Sequence, residues 1–261
     1  LIDQHEVTPA VVFAALVGAM FWNIVTWLKG IPSSSSHALV GGIVGAGLAA
    51  SGLGTIQWTG LGKTLAFIPL APLLGMTAAM LVMLLTSWLA LKASNRRAEG
   101  AFRSLHLVSS AAYSLGHGLN DAQKTMGIIT VLLFSTGYLH GDFHVPHWVA
   151  ISCYIAIGLG TMTGGWKIIE TMGSRITKLS QHQGFGASTG GSALLFGASY
   201  FGIPVSTTHT ITGAVIGAGV ARRASAVRWG VAQNVVAAWL ITIPCSGAVA
   251  ALFFWLTTLF S

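Results

Sequence analysis

The chain has 261 residues, of which 53% are hydrophobic, 33 are glycine and only 7% are Asp, Glu, Lys or Arg. A soluble domain carries about 25% charged residues. With a mean hydropathy of +0.73, this chain lacks the polar surface a water-soluble enzyme needs. The apolar content also excludes intrinsic disorder, and two cysteines exclude a disulfide scaffold.

An all-α polytopic membrane protein remains, because a crossing takes about 20 residues. Apolar segments run over 8–28, 33–50, 62–91, 104–137 (interrupted), 147–164, 184–201, 205–221 and 229–258. Several carry Ser, Thr, Asn or His at depths where polar groups need partners, which predicts broken or re-entrant helices lining a polar cavity. Cys153 and Cys245 are isolated within apolar segments and read as small packing residues.

The formal charge of +7 comes from bases between these segments. Lys92, Arg96, Arg97 and Arg103 form one cluster, Lys167, Arg175 and Lys178 a second, and Arg222, Arg223 and Arg228 a third. The positive-inside rule puts all three in the cytoplasm, and no nucleic-acid partner is expected. Trp58, Trp88, Trp148 and Trp229 lie near segment ends, where interfacial aromatics belong. The resulting organisation is a first repeat over 1–91, a basic cytoplasmic loop over 92–103 and the start of a second repeat over 104–164. An amphipathic cytoplasmic linker over 165–183 and the end of the second repeat over 184–261 complete it.

Self-similarity is the strongest signal. GIPSSSSHALVGGIVGAG at 30–47 matches GIPVSTTHTITGAVIGAG at 202–219 without a gap, identically at 9 of 18 positions. Counting crossings from the basic clusters, the first copy runs outward and the second inward. An inverted-topology repeat follows, with a site near the midplane.

Each copy opens with Ile-Pro, a run of hydroxyls and then His. Pro is favoured at the first helical position, and the residues after it sit where backbone N–H groups lack helical partners. A helix start inside a membrane, with its positive dipole end and added hydroxyls, is prepared for a small tetrahedral oxyanion. The candidates are Ser33, Ser34, Ser35 and Ser36 with Ser206, Thr207 and Thr208. His37 and His209, one turn further on, orient the site, contact the anion or simply pack. Gly41 with Gly45, and Gly213 with Gly217, give each copy the G-x-x-x-G spacing of close helix packing.

A second polar island spans 114–127 and holds Asp121, the sole acid inside an apolar segment. An intramembrane carboxylate marks a functional site by default. With Asn120, Gln123 and carbonyls freed by a break at Gly116–Gly118, it offers oxygens to a coupling cation, or else takes and releases a proton. Lys124 either neutralises Asp121 or contacts the anion, and Thr125 completes the supporting residues. His140, His144 and His147 have helical metal-ligand spacing, but Gly141 and Pro146 make the segment a loop. No metal site and no cofactor are expected. Gly186-Ala-Ser-Thr-Gly190 matches the G-x-S-x-G pattern of hydrolases but opens an apolar helix with no strand before it, so no enzyme is expected.

GHGLNDAQKTMGIIT, GIPSSSSHALVGG and GIPVSTTHTITGAVIGAG resemble the inorganic phosphate transporter (PiT) family, particularly its bacterial members; WKIIETMGSRITKL and SAVRWGVAQN extend the likeness. The resemblance implies a secondary transporter importing phosphate with sodium or protons, built of inverted repeats. It further implies phosphate at Ser34, Ser35, Ser206 and Thr207 foremost, with Asn120 and Asp121 serving the phosphate and coupling-ion site. The family carries an Asp/Asn motif in each half, and only the second is present. Asp121 precedes His209 by 88 residues, and the same distance before His37 falls upstream of Leu1. The expectation is therefore an N-terminally truncated carrier of the cytoplasmic membrane, working by alternating access. Its partners are inorganic phosphate and membrane lipid, with a homo-oligomer left open. The alternatives are a carrier of sulfate or another tetrahedral oxyanion, an anion channel, and an assembly partner that does not itself transport.

Overall fold

The computed structural model describes residues 1–2, 6–92 and 94–259. Nine α-helices account for most of these: α1 Pro9–Lys29, α2 Ser35–Ser51, α3 Trp58–Ala90, α4 Asn95–Ser135, α5 His147–Met162, α6 Trp166–Glu170, α7 Gln181–Tyr200, α8 Thr207–Arg222 and α9 Trp229–Thr258. The sole β contact among the described residues is an isolated bridge between Ile2 and Ile56.

Helices α1, α3 and α9 are long and apolar enough to cross a membrane, and α5 with the segment after it makes a fourth span if the 71° bend between them is counted within one. The four tryptophans expected at the interfaces stand at or next to helix ends, all exposed. With 17 and 16 residues, α2 and α8 reach only about 25 Å at 1.5 Å per residue, short of the hydrocarbon thickness of about 30 Å. Such short helices belong to interrupted crossings, which carry polar backbone ends to membrane depth.

Two expectations are corrected. Helix α4 runs unbroken for 41 residues through Gly116 and Gly118, so no carbonyls are freed there. Glycine costs about 1 kcal/mol in a helix interior; leaving backbone groups unpaired in lipid costs several. The prolines of the repeated motif are not at the first helical position either. Pro32 and Pro204 each stand two residues ahead of a capping serine.

The duplication extends far beyond 18 residues. At the same spacing of 172, Thr8 and Ser180 cap α1 and α7, accepting from Val11 N and Gln183 N. The Ser180 cap begins α7 inside the stretch read as linker. Gly30 and Gly202 end these two helices with φ of 67° and 64°, a left-handed turn that only glycine adopts cheaply. Ile31 N then reaches back to Thr26 O at 2.9 Å, and Ile203 N to Ala198 O at 2.8 Å. Beyond α2 and α8 the spacing falls to 171, since α8 is one residue shorter; Trp58 and Trp229 begin α3 and α9 at that spacing. So α1–α2–α3 repeats as α7–α8–α9.

The chain divides into two compact units that exchange their third helices. Unit 1 holds Leu1–Lys63, Asp121–Gly165 and Val236–Ser261; unit 2 holds Thr64–Asn120 and Trp166–Val235. Within unit 1, α2 lies so close to α9 that a Cβ on Gly41 or Gly45 would collide with the backbone of Ile243 or Gly247. Within unit 2, α8 meets α3 in the same way, Gly213 against Pro72 and Gly217 against Met76. Both G-x-x-x-G pairs therefore serve backbone contact between helices.

A Gly45→Ala substitution should cost about 1–3 kcal/mol of overpacking. Thermal unfolding of the detergent-solubilised protein should show a midpoint lower by several degrees. Gly158→Ala, in α5 with open space around it, should not lower the midpoint and should raise it slightly, since alanine is the better helix former.

Candidate functional site

In unit 1 the chain leaves α1 at Gly30, turns tightly at Pro32, where Ser33 N donates to Ile31 O at 2.8 Å, and enters α2 at Ser34. The Ser34 side chain caps the helix, accepting from His37 N at 3.2 Å. In unit 2, Ser206 does the same for His209 N, also at 3.2 Å. Their backbone angles agree closely, φ/ψ of −93/114° at Ser34 and −85/117° at Ser206. Both are almost fully buried, 2% and 3% exposed. Two buried helix starts of one design thus stand in the two units, each presenting first-turn N–H groups and the positive dipole end.

The surrounding side chains differ. Ser33 donates to Thr26 Oγ1 at 2.7 Å, which ties the turn to α1. Trp239 of α9 donates from Nε1 to Pro32 O at 3.0 Å. Ser35 is exposed, and Ser36 accepts from Lys124 Nζ at 2.7 Å. In unit 2 the equivalent anchor is Tyr113 of α4, whose hydroxyl donates to Thr207 O at 2.9 Å. Thr207 is buried and Thr208 half-buried. His37 and His209 are both buried. Tyr113 and Trp239 escaped the sequence reading, since an aromatic inside an apolar helix carries no outward sign of a polar task.

The Asn-Asp motif is divided by the helix that carries it. Asn120 is buried in unit 2, donating from Nδ2 to Ser199 Oγ at 2.6 Å and Leu195 O at 3.4 Å. Asp121 belongs to unit 1 and pairs with Lys124, Oδ1 to Nζ at 3.0 Å. Neighbouring residues on a helix point about 100° apart, which sends the amide to α7 and the carboxylate to its own helix turn. Gln123 and Thr125 are exposed. Ser36, Asp121 and Lys124 are thus brought together; Asn120 and Gln123 do not join them.

Among the described residues, no three or more His, Cys, Asp or Glu are placed to hold a metal ion. In the 138–146 loop, His144 Nδ1 instead bonds Asp142 O at 2.8 Å.

Apolar spans with a matched pair of buried, hydroxyl-capped helix starts mark a polytopic membrane protein. Sequence comparison makes the assignment definite: the chain belongs to the phosphate transporter family, whose model matches residues 1–100 and 92–250. A protein of Rhizobium meliloti (strain 1021), named a probable low-affinity inorganic phosphate transporter, is 60% identical over 252 residues, covering 97% of this chain and 75% of that protein. A protein of the same name from Mycobacterium bovis is 44% identical over 257 residues, 96% of this chain and 61% of its own length. The chain therefore spans between about three-fifths and three-quarters of these two relatives. A solved structure described as the sodium-dependent phosphate transporter superposes with a TM-score of 0.85 at 26% identity, covering 99% of this chain and 81% of that one. The relatives are transporters, and the chain is a multi-pass integral membrane protein rather than an enzyme.

Because the two caps share one geometry, Ser34→Ala and Ser206→Ala should each cost about 1 kcal/mol. Glycine at either position should cost only a few tenths. Chemical denaturation of the four variants beside the parent measures both differences.

Proposed function

We propose that this protein imports inorganic phosphate across the cytoplasmic membrane, coupled to a sodium ion or a proton, by alternating access. The observation that carries the reading is the matched pair of buried serine-capped helix starts. Each combines a first helical turn, a positive dipole end and hydroxyl groups, the combination that holds phosphate elsewhere in proteins. The names of the relatives support phosphate over other tetrahedral anions.

Within this reading, Ser34, Ser35, Ser206 and Thr207 bind the anion, with Ser33, Ser36 and Thr208 beside them. The side chains of Ser34 and Ser206 accept from backbone amides, so their hydroxyl hydrogens remain to be donated to phosphate oxygen. Asp121 supplies the carboxylate through which cation and anion are linked. Asn120 braces the same stretch of α4 against α7.

Labelled phosphate uptake into proteoliposomes bearing the full-length gene product tests this. Uptake should saturate and follow an imposed cation gradient. Ser206→Ala should lower it about tenfold, the value of one hydrogen bond to a charged group, and Asp121→Asn should abolish the gradient dependence. Sulfate carried in place of phosphate would overturn the substrate. A current that neither saturates nor depends on a coupled ion would make the protein a channel, and silence for every anion would overturn the reading as a whole.

A further inference from the structure

The positive charge of this chain is carried by one of its two units. Unit 2 holds ten Lys and Arg against two acids, Glu99 and Glu170; unit 1 holds three against four. The ten are the three basic clusters of the sequence, and all of them are exposed. Arg175 pairs with Glu170, Nε to Oε1 at 3.1 Å. Glu99 is then the one acid of unit 2 left to answer the other nine bases. A surface of that composition keeps a strong positive potential however its side chains turn.

The fold gathers the three clusters at one end of the unit. Arg228 N donates to the carbonyl oxygen of fully buried Ile176 at 2.9 Å. A Cβ on Gly219, near the end of α8, would meet both Thr177 and Val227. Arg175 and Lys178 are thereby joined to the 222–228 turn. Gln183 of α7 donates from Nε2 to Ala218 O at 3.1 Å, which holds the start of α7 to the same place. On α4, Phe102 stacks on His182 of α7 with ring centroids 4.0 Å apart, so Arg103 arrives there too. His182 Nε2 in turn bonds Thr86 Oγ1 at 2.6 Å, near the end of α3.

Exposed indoles border this basic end: Trp88 just before Lys92, Trp166 beside Lys167, and Trp229 beside Arg228. Trp229 Nε1 donates to Ala224 O at 3.1 Å, which fixes its ring against the turn that carries the arginines. Tryptophan sits at the headgroup level of a bilayer, and bases clustered next to a spanning helix attract anionic lipid. A free phosphate ion is compact and suits buried, convergent donors. This surface is open and spread over three segments, so it suits many negative charges lying in one plane beside an apolar layer.

We propose that the basic end of unit 2 is a docking surface for phospholipid headgroups of net negative charge, which it holds in preference to zwitterionic ones. The inference is independent of which anion the protein carries.

The test is the lipid that the full-length protein retains when it is purified in neutral detergent. The detergent contains equal amounts of phosphatidylglycerol and phosphatidylcholine with the same acyl chains, and retention is quantified by mass spectrometry. The wild type should retain phosphatidylglycerol about tenfold over phosphatidylcholine, and the triple variant Arg222→Gln/Arg223→Gln/Arg228→Gln about twofold or less. Lys29→Gln/Lys63→Gln, in unit 1, should keep the wild-type preference. Salt at about 1 M, where the screening length is about 3 Å, should weaken the preference of the wild type. Equal retention of the two lipids by the wild type overturns the proposal, as does an unchanged preference in the folded triple variant. Displacement of phosphatidylglycerol by millimolar inorganic phosphate also overturns it, because the surface would then take a free anion. Thermal melting shows whether the triple variant folds; if it does not, Lys92→Gln/Arg96→Gln/Arg97→Gln replaces it with the same expected loss.

Discussion

A helix that begins inside a membrane must find partners for its first backbone N–H groups, because lipid offers none. Much of this fold is arranged around meeting that requirement twice. Glycine in the left-handed conformation ends α1 and α7 sharply, Ile-Pro leads the chain on, and a buried serine caps the next helix. The device works only where the new helix can sit deep among its neighbours, and the glycines of α2 and α8 provide that depth. At both starts a serine hydroxyl completes the backbone's hydrogen bonding.

The exchange of third helices follows from the same geometry. The short helix α2 buries its glycine face against α9, and α8 buries its own against α3. Pro72 and Pro244 lie inside these long partners, close to the contact. A proline removes one N–H from the ladder and frees a carbonyl four residues back, which is tolerable where another helix backbone lies alongside. The compact units consequently cut across the order of the chain. Helix α4 also changes units, and it does so between Asn120 and Asp121.

How much of this is legible in the amino-acid sequence depends on what is repeated. The Pro-Ser motif is visible because its chemistry is kept: serine must cap, glycine must turn, glycine must let a backbone approach. The rest of the duplication hides because only geometry is kept. Thr8 answers to Ser180 and Trp58 to Trp229, but between them almost any apolar residue will serve against lipid. The break expected at Gly116–Gly118 fails for a related reason. In water two glycines loosen a helix; in lipid the cost of unpaired backbone outweighs their flexibility. Tyr113 and Trp239 show the opposite limit, since nothing in a sequence separates an aromatic that fills space from one that also holds a turn by a single hydrogen bond.

The Asn-Asp motif carries the same lesson to the site. Read as a string, Asn120 and Asp121 look like two ligands of one ion. On a helix, successive side chains diverge by about 100°, and these two serve different units. The neighbour that matters to Asp121 is Lys124, one turn along, and through it Ser36 of α2. A charge thereby enters the first repeat that the second does not match, since the start of α8 is steadied by the neutral hydroxyl of Tyr113. The two helix starts are equal in backbone and unequal in electrostatics. Duplication supplies the pair of capped helix starts; divergence around them brings the Lys124 ammonium to Ser36 of the first and the Tyr113 hydroxyl to Thr207 of the second.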